Sequence, residues 1–211
     1  MLSRILGVAL VAGIGVGLLV ALVQHLTLTP LILRAEIYEQ HAGAAPALPR
    51  AALTWAATVL TTVGFAFLLV GLFAVTRRKV DAREGLLWGV AGFAAFALAP
   101  AFGLPPGLPG SVAADLAARQ VWWIGTVLAT LASIGLLAFV GGWRGVLVGG
   151  ALLIAPHVIG APLPPDGAGS VPPELAALFA SRSLGVNALS WLLLGGTTAM
   201  LYRRRLPGPA G

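Results

Sequence analysis

Long apolar runs separated by short polar punctuation set the plan of this chain. Six uncharged stretches, roughly 5–33, 53–76, 85–103, 121–142, 145–161 and 183–202, are at or near the about 17–25 residues that carry a helix across a bilayer. The first is over-long, and Pro30 inside it predicts a bend or an early end. The fifth is at the short limit, which leaves a five-span count as the alternative. The uncharged run at 5–33 far exceeds the apolar core of a cleaved signal peptide, about 7–15 residues, so it reads as a retained span. The pattern predicts an all-α polytopic membrane bundle: one membrane domain over 1–211, built as three in-out-in hairpins at about 5–76, 85–142 and 145–202.

Outer connections are long and rich in Pro and Gly, whereas inner ones are short. The last two hairpins resemble each other. Ala99-Pro100 ends the third span and Ala155-Pro156 interrupts the fifth. Gly110-Ser111-Val112 followed by Asp115-Leu116-Ala117-Ala118 then matches Gly169-Ser170-Val171 followed by Glu174-Leu175-Ala176-Ala177. Such repeats would be parallel, related by an axis along the membrane normal. Each serine before a short amphipathic stretch reads as a helix start, and Pro172-Pro173 suits a first turn. Short interfacial helices are therefore expected at about 112–119 and 172–182. Small residues every fourth position, Ala9/Gly13/Gly17 and Gly141/Gly145/Gly149, predict close helix packing, within the chain or, as the alternative, in a homo-oligomer.

Composition narrows the class. Of 211 residues, 58% are hydrophobic and only 9% charged, with mean hydropathy +0.95, against about 25% charged in a soluble domain. The net charge of +6 has no basic face to concentrate it, which argues against nucleic acid as a partner and leaves the lipid bilayer. Nine of the thirteen basic residues, from Arg4, Arg77, Arg78, Lys79, Arg83, Arg144 and Arg203-Arg204-Arg205, fall on one side of a six-span topology. Arg34, Arg50, Arg119 and Arg182 fall on the other. The positive-inside rule makes the first side cytoplasmic, with both termini inside; a five-span chain would leave one terminus outside. Tyr38, Trp55, Trp122 and Trp123 near the outer boundary, and Trp88, Trp143 and Tyr202 near the inner one, agree with an aromatic belt. Trp191, inside the sixth span, is read as a packing residue.

Charge and side-chain chemistry then point to one face. His25, His41 and His157 all fall on the outer side, as do Glu36, Glu39, Asp115, Asp166 and Glu174; only Asp81 and Glu84 are inside. Imidazole with carboxylate suits borderline divalent ions, and ionisable groups beside broken helices at membrane depth are candidate sites. The expected metal site is His25 and His157 with Glu36 or Glu39, and Gln24 in addition. His41 is a loop alternative suited to capture. His25 and His157 could share an ion only if spans one and five pack side by side. The competing reading is that each histidine only hydrogen-bonds a neighbouring helix.

The chain has no Cys, which removes disulfides and thiolate metal or redox chemistry. Its single lysine, Lys79, is in no phosphate-binding loop. No His–acid pair has catalytic spacing, so an enzyme is the weakest reading, and no permanently bound cofactor is expected. An inward-moving divalent ion gains about 4.6 kcal/mol per 100 mV, roughly a two-thousandfold accumulation.

Several ordered strings give a more specific pointer: Thr29–Leu33, Ala35–Glu39, Gly85–Phe93, Leu98–Pro106, Arg119–Trp123, Pro156–Pro162 and Val171–Ala176. Together they resemble the CbtA-type cobalt transporter subunits from span one to the start of span six. The resemblance implies an inner-membrane subunit for Co2+ uptake, linked to cobalamin biosynthesis and working beside a small His-bearing CbtB-type subunit; the imidazole and carboxylate ligands would suit Ni2+ as well. The ion would be cargo. That family is usually described with about five spans, against six here. Arg34 and Gly107 depart from its pattern where acids are often found, which removes two outer carboxylates. A non-transporting membrane scaffold for a partner permease is the alternative function. The topology is testable: reporter fusions after Arg205 and within 77–84 are both expected to read as cytoplasmic, and a periplasmic C-terminus would restore five spans.

Overall fold

A computed structural model describes residues 2–38, 47–76, 80–165 and 169–205. Glu39, His41, Arg77, Arg78, Lys79 and Asp166 lie outside the described residues. Seven helices follow in order: α1 Leu2–Thr27, α2 Thr29–Glu36, α3 Ala47–Thr76, α4 Ala82–Ala101, α5 Leu116–Val140, α6 Gly142–Ile159 and α7 Pro173–Arg205. All but α2 are long and apolar enough to span a membrane. The chain is a multi-pass helical membrane protein, with six candidate spans among the described residues rather than five.

Prolines and glycines place the helix ends. Pro30 lacks the N–H that would continue α1, so α1 stops at Thr27; Pro30 becomes the second residue of α2, where that N–H is not needed. Pro100 cannot bond back to Phe96, and the ladder of α4 widens into a π turn at Ala94–Leu98, with Ala99 N–H reaching Ala94 O. α5 ends in a second π turn, Leu136–Val140. Gly141 and Gly142, at φ 61° and 62°, then reverse the chain into α6 through backbone geometry open to glycine. At the start of α4, Asp81 Oδ1 accepts from Glu84 N–H at 2.8 Å, a cap four residues ahead of the start expected at Gly85.

The two short interfacial helices expected at about 112–119 and 172–182 do not form as separate elements. Val112–Ala114 is non-helical; Asp115 then caps α5 by accepting from Ala118 N–H at 2.9 Å. α7 runs unbroken from Pro173. No Gly or Pro lies between the first turn of either helix and the start of its span, and an established helix propagates more cheaply than a new one nucleates. The 33 residues of α7 extend about 50 Å, beyond the roughly 30 Å hydrocarbon thickness, so the stretch expected as a surface helix is an extension of the span.

Contacts divide the chain into two units. The first comprises α1, α3, the N-terminal part of α4 to Val90 and α7 from Gly185; the second comprises α2 from Ile32, the rest of α4, α5, α6 and α7 to Leu184. In the first, α1 packs on α3 along Ala9, Gly13 and Gly17, all buried. A methyl group on Gly13 would come 2.5 Å from Val63 Cα, and one on Gly17 2.9 Å from Val59 Cα. Gly85, Gly89 and Gly195 bring α4 equally close to α7: a methyl on Gly89 would meet Trp191 O at 2.5 Å. Trp191 packs on Phe65 with ring centres 4.6 Å apart, and buried Phe73 lies edge-on to Trp88 and Tyr202.

In the second unit Gly145 and Gly149 press α6 onto the backbone of α5, at Leu136 O and Ser133 O. The two Gly-Ser-Val strings meet reciprocally. Gly110 faces Ser170 and Val171, and Gly169 faces Ser111 and Val112. Ser170 Oγ donates to Tyr38 O at 2.8 Å, tying the end of α2 over a small core of Ala35, Leu108 and Val171.

These backbone approaches predict that Gly13→Val will lower stability by about 1–3 kcal/mol through overpacking. Gly15→Val, where a side chain enters open space, is expected to stay within about 0.5 kcal/mol. Thermal unfolding in detergent micelles would measure both.

Candidate functional site

In the first unit, the end of α1 presents two of the expected ligands. Gln24 turns toward α3. Thr58 Oγ1 lies 2.8 Å from Gln24 Oε1 and 2.9 Å from Thr54 O, one hydroxyl proton between two acceptors. The Gln24 amide is therefore partly committed to holding α1 against α3. Below it the threonines of α3 bond their own preceding turns, as Thr62 Oγ1 does to Thr58 O at 2.7 Å. His25, the next residue, is exposed. Its ring stands edge-on to Trp55 of α3, with centres 6.3 Å apart.

The second unit presents a matching arrangement. Pro156 interrupts the hydrogen-bond ladder of α6 near its end, and Gly160 N–H closes the helix on Pro156 O at 3.0 Å. Trp122 Nε1–H donates to the same carbonyl at 3.1 Å. His157, exposed in the last turn of α6, lies edge-on to Trp122 at 5.9 Å and to Phe102 at 6.0 Å. Each unit thus offers one imidazole in the final turn of a span, braced by a tryptophan of the neighbouring span. The last turn carries the partial negative charge of the helix end, which favours a cation there. No hydrogen bond ties either imidazole to another described residue.

The remaining expected ligands are distributed differently. Glu36 is half-buried at the end of α2, in the second unit, while Gln24 and His25 belong to the first. Glu39 and His41 lie outside the described residues. Among the described residues no three His, Asp or Glu side chains converge. The histidine pairing with tryptophan was not legible from spacing, because Trp55 and Trp122 come from other helices.

A polar seam, not among the expected sites, runs through the second unit. Thr126, Thr130 and Ser133 follow one face of α5 at i, i+4 and i+7, all at most 2% exposed. Thr126 Oγ1 donates to Trp122 O at 2.9 Å. The hydroxyls of Thr130 and Ser133 have no hydrogen-bond partner among the described residues. Helical spacing of small hydroxyl residues inside an apolar run was the signal available for it.

The bond to Pro156 O yields a test. Trp122→Phe keeps an aromatic ring against His157 and removes the N–H, with an expected loss of about 1 kcal/mol by thermal unfolding in micelles. Trp143→Phe, at a residue 70% exposed, is expected to leave stability unchanged.

No curated protein and no solved structure matches the chain. A family model does, over residues 2–203, under the description "Probable cobalt transporter subunit (CbtA)". With nearly its whole length so matched, and with six helices among the described residues long and apolar enough to cross a membrane, the chain belongs to the CbtA family of probable cobalt transporter subunits.

Proposed function

We propose that this subunit forms the permease of a cobalt uptake system in a bacterial inner membrane, with both termini cytoplasmic. Co2+, and Ni2+ by its similar ligand preference, enters from the outer face and moves inward. The observation that carries the reading is the pair of exposed, tryptophan-braced imidazoles at the ends of α1 and α6. A neutral imidazole replaces water on a borderline ion without holding it irreversibly, as permeation requires. Glu36, or Glu39, supplies charge to the same capture step, and Gln24 a further oxygen; His41 acts earlier, from the loop. The membrane potential drives the ion inward at about 4.6 kcal/mol per 100 mV for two charges. A small His-bearing CbtB-type subunit delivers or completes the coordination, and the cobalt serves cobalamin synthesis.

A scaffold that assembles a partner permease is the second reading. It is favoured by the lack of a three-ligand cluster among the described residues. Metal accumulation separates the two. His25→Ala and His157→Ala are each expected to lower cobalt accumulation severalfold at unchanged membrane levels of the protein. Unchanged uptake in the double variant would remove the histidines from the path. Uptake by cells making this chain alone supports the permease; uptake only with the small subunit, indifferent to both histidines, supports the scaffold.

A further inference from the structure

The second unit contains a cavity of about 1120 Å3, walled by the Pro-rich segments Gly103–Gly107 and Pro162–Pro164, the stretch Ser111–Ala114, one face of α5, and Ala176, Ala177 and Ala180 of α7. Its chemistry is unlike that of the histidine sites. Among its described lining residues there is one cation, Arg119, one side-chain amide, Gln120, and no carboxylate. Asp115, a turn before Arg119, gives one carboxylate oxygen to the Ala118 N–H. A divalent cation would meet the Arg119 charge and apolar walls here, so the cavity does not suit the cargo.

The lining is ordered along α5. Arg119 and Gln120 come first, then Trp123 and Ile124 one turn deeper on the same face, a progression of roughly 7–8 Å at 1.5 Å per residue. Tryptophan marks the boundary between headgroups and hydrocarbon. The cavity therefore passes from a hydrogen-bonding cation to an apolar wall over the depth at which a lipid passes from head to chain. Its volume is slightly above that of pockets that hold single small molecules, about 300–1,000 Å3, and it is concave. Both features fit one amphiphile better than the flat contact of a partner protein. Guanidinium is the side chain best matched to a phosphate, as a planar fork that donates two parallel hydrogen bonds, and the Gln120 amide can add a third.

We propose that this cavity binds an anionic phospholipid, with its phosphodiester at Arg119 and Gln120 and an acyl chain along Trp123 and Ile124. The bound lipid bridges the Pro-rich segments that follow α4 and α6. The site is independent of the metal path proposed above.

Tryptophan quenching tests it on the full chain in phosphatidylcholine vesicles. Bromine-labelled acyl chains are supplied at equal mole fraction on either phosphatidylglycerol or phosphatidylcholine. Brominated phosphatidylglycerol is expected to quench more strongly, with the excess abolished in Trp123→Phe and reduced at least severalfold in Arg119→Gln. Arg119→Lys, which keeps the charge and loses the fork, is expected to retain part of it. Equal quenching of the unmodified chain by the two lipids would overturn the proposal, and needs no variant to fold. An excess that persists in Trp123→Phe would also overturn it, by placing the anionic lipid elsewhere on this basic protein. No quenching of Trp123 by either lipid would leave the cavity to a protein occupant.

Discussion

Within hydrocarbon no water is available to a backbone N–H or C=O, so every span must satisfy these groups inside the protein. Prolines, which remove a donor, are therefore the points on which the structure turns. Pro30 ends α1 and starts α2. The strain of Pro100 is absorbed by a π turn in α4. Pro156 sits one residue before His157, and its carbonyl takes both Gly160 N–H and the indole of Trp122. The second of these bonds anchors the tryptophan that braces the imidazole. Structural demand and site geometry are one arrangement here.

Packing follows a second rule. Lipid is as apolar as the side chains, so burial alone does not drive these helices together; close approach does. Gly13 and Gly17 on α1, and Gly85 and Gly89 on α4 against Gly195, let backbones meet where any side chain would intrude, and Gly145 and Gly149 on α6 do so where one would be tight. The interiors so formed are tight enough to bury Thr126, Thr130 and Ser133 almost completely. The reciprocal contact of the two Gly-Ser-Val strings applies the same device at the helix ends, and it explains why both hairpins carry the string.

The chain separates two chemistries. Exposed imidazoles at helix C-termini, where the helix dipole is negative, suit a divalent cation. The cavity under the Pro-rich segments offers a guanidinium and apolar walls, which suit an anion with a hydrocarbon tail. Under the two proposals above, charge alone would direct cargo and lipid to different places.

Much of this was local and therefore readable. A run of about twenty uncharged residues has few alternatives to a membrane span, so all six spans could be read from the amino-acid pattern, as could the early end of α1 at Pro30 and the packing stripe of Ala9, Gly13 and Gly17. These depend on neighbours within one or two helical turns. Tertiary structure decided what depends on residues far apart in the chain. Gly85 and Gly89 meet Gly195 and Trp191, Trp55 and Trp122 find His25 and His157, and Ser170 reaches Tyr38. No periodicity encodes such partners. The surface helices expected before spans four and six show the same limit from the other side. Their start signals were present in the sequence, but whether a started helix stops depends on a breaker, and neither α5 nor α7 meets one before it enters the membrane.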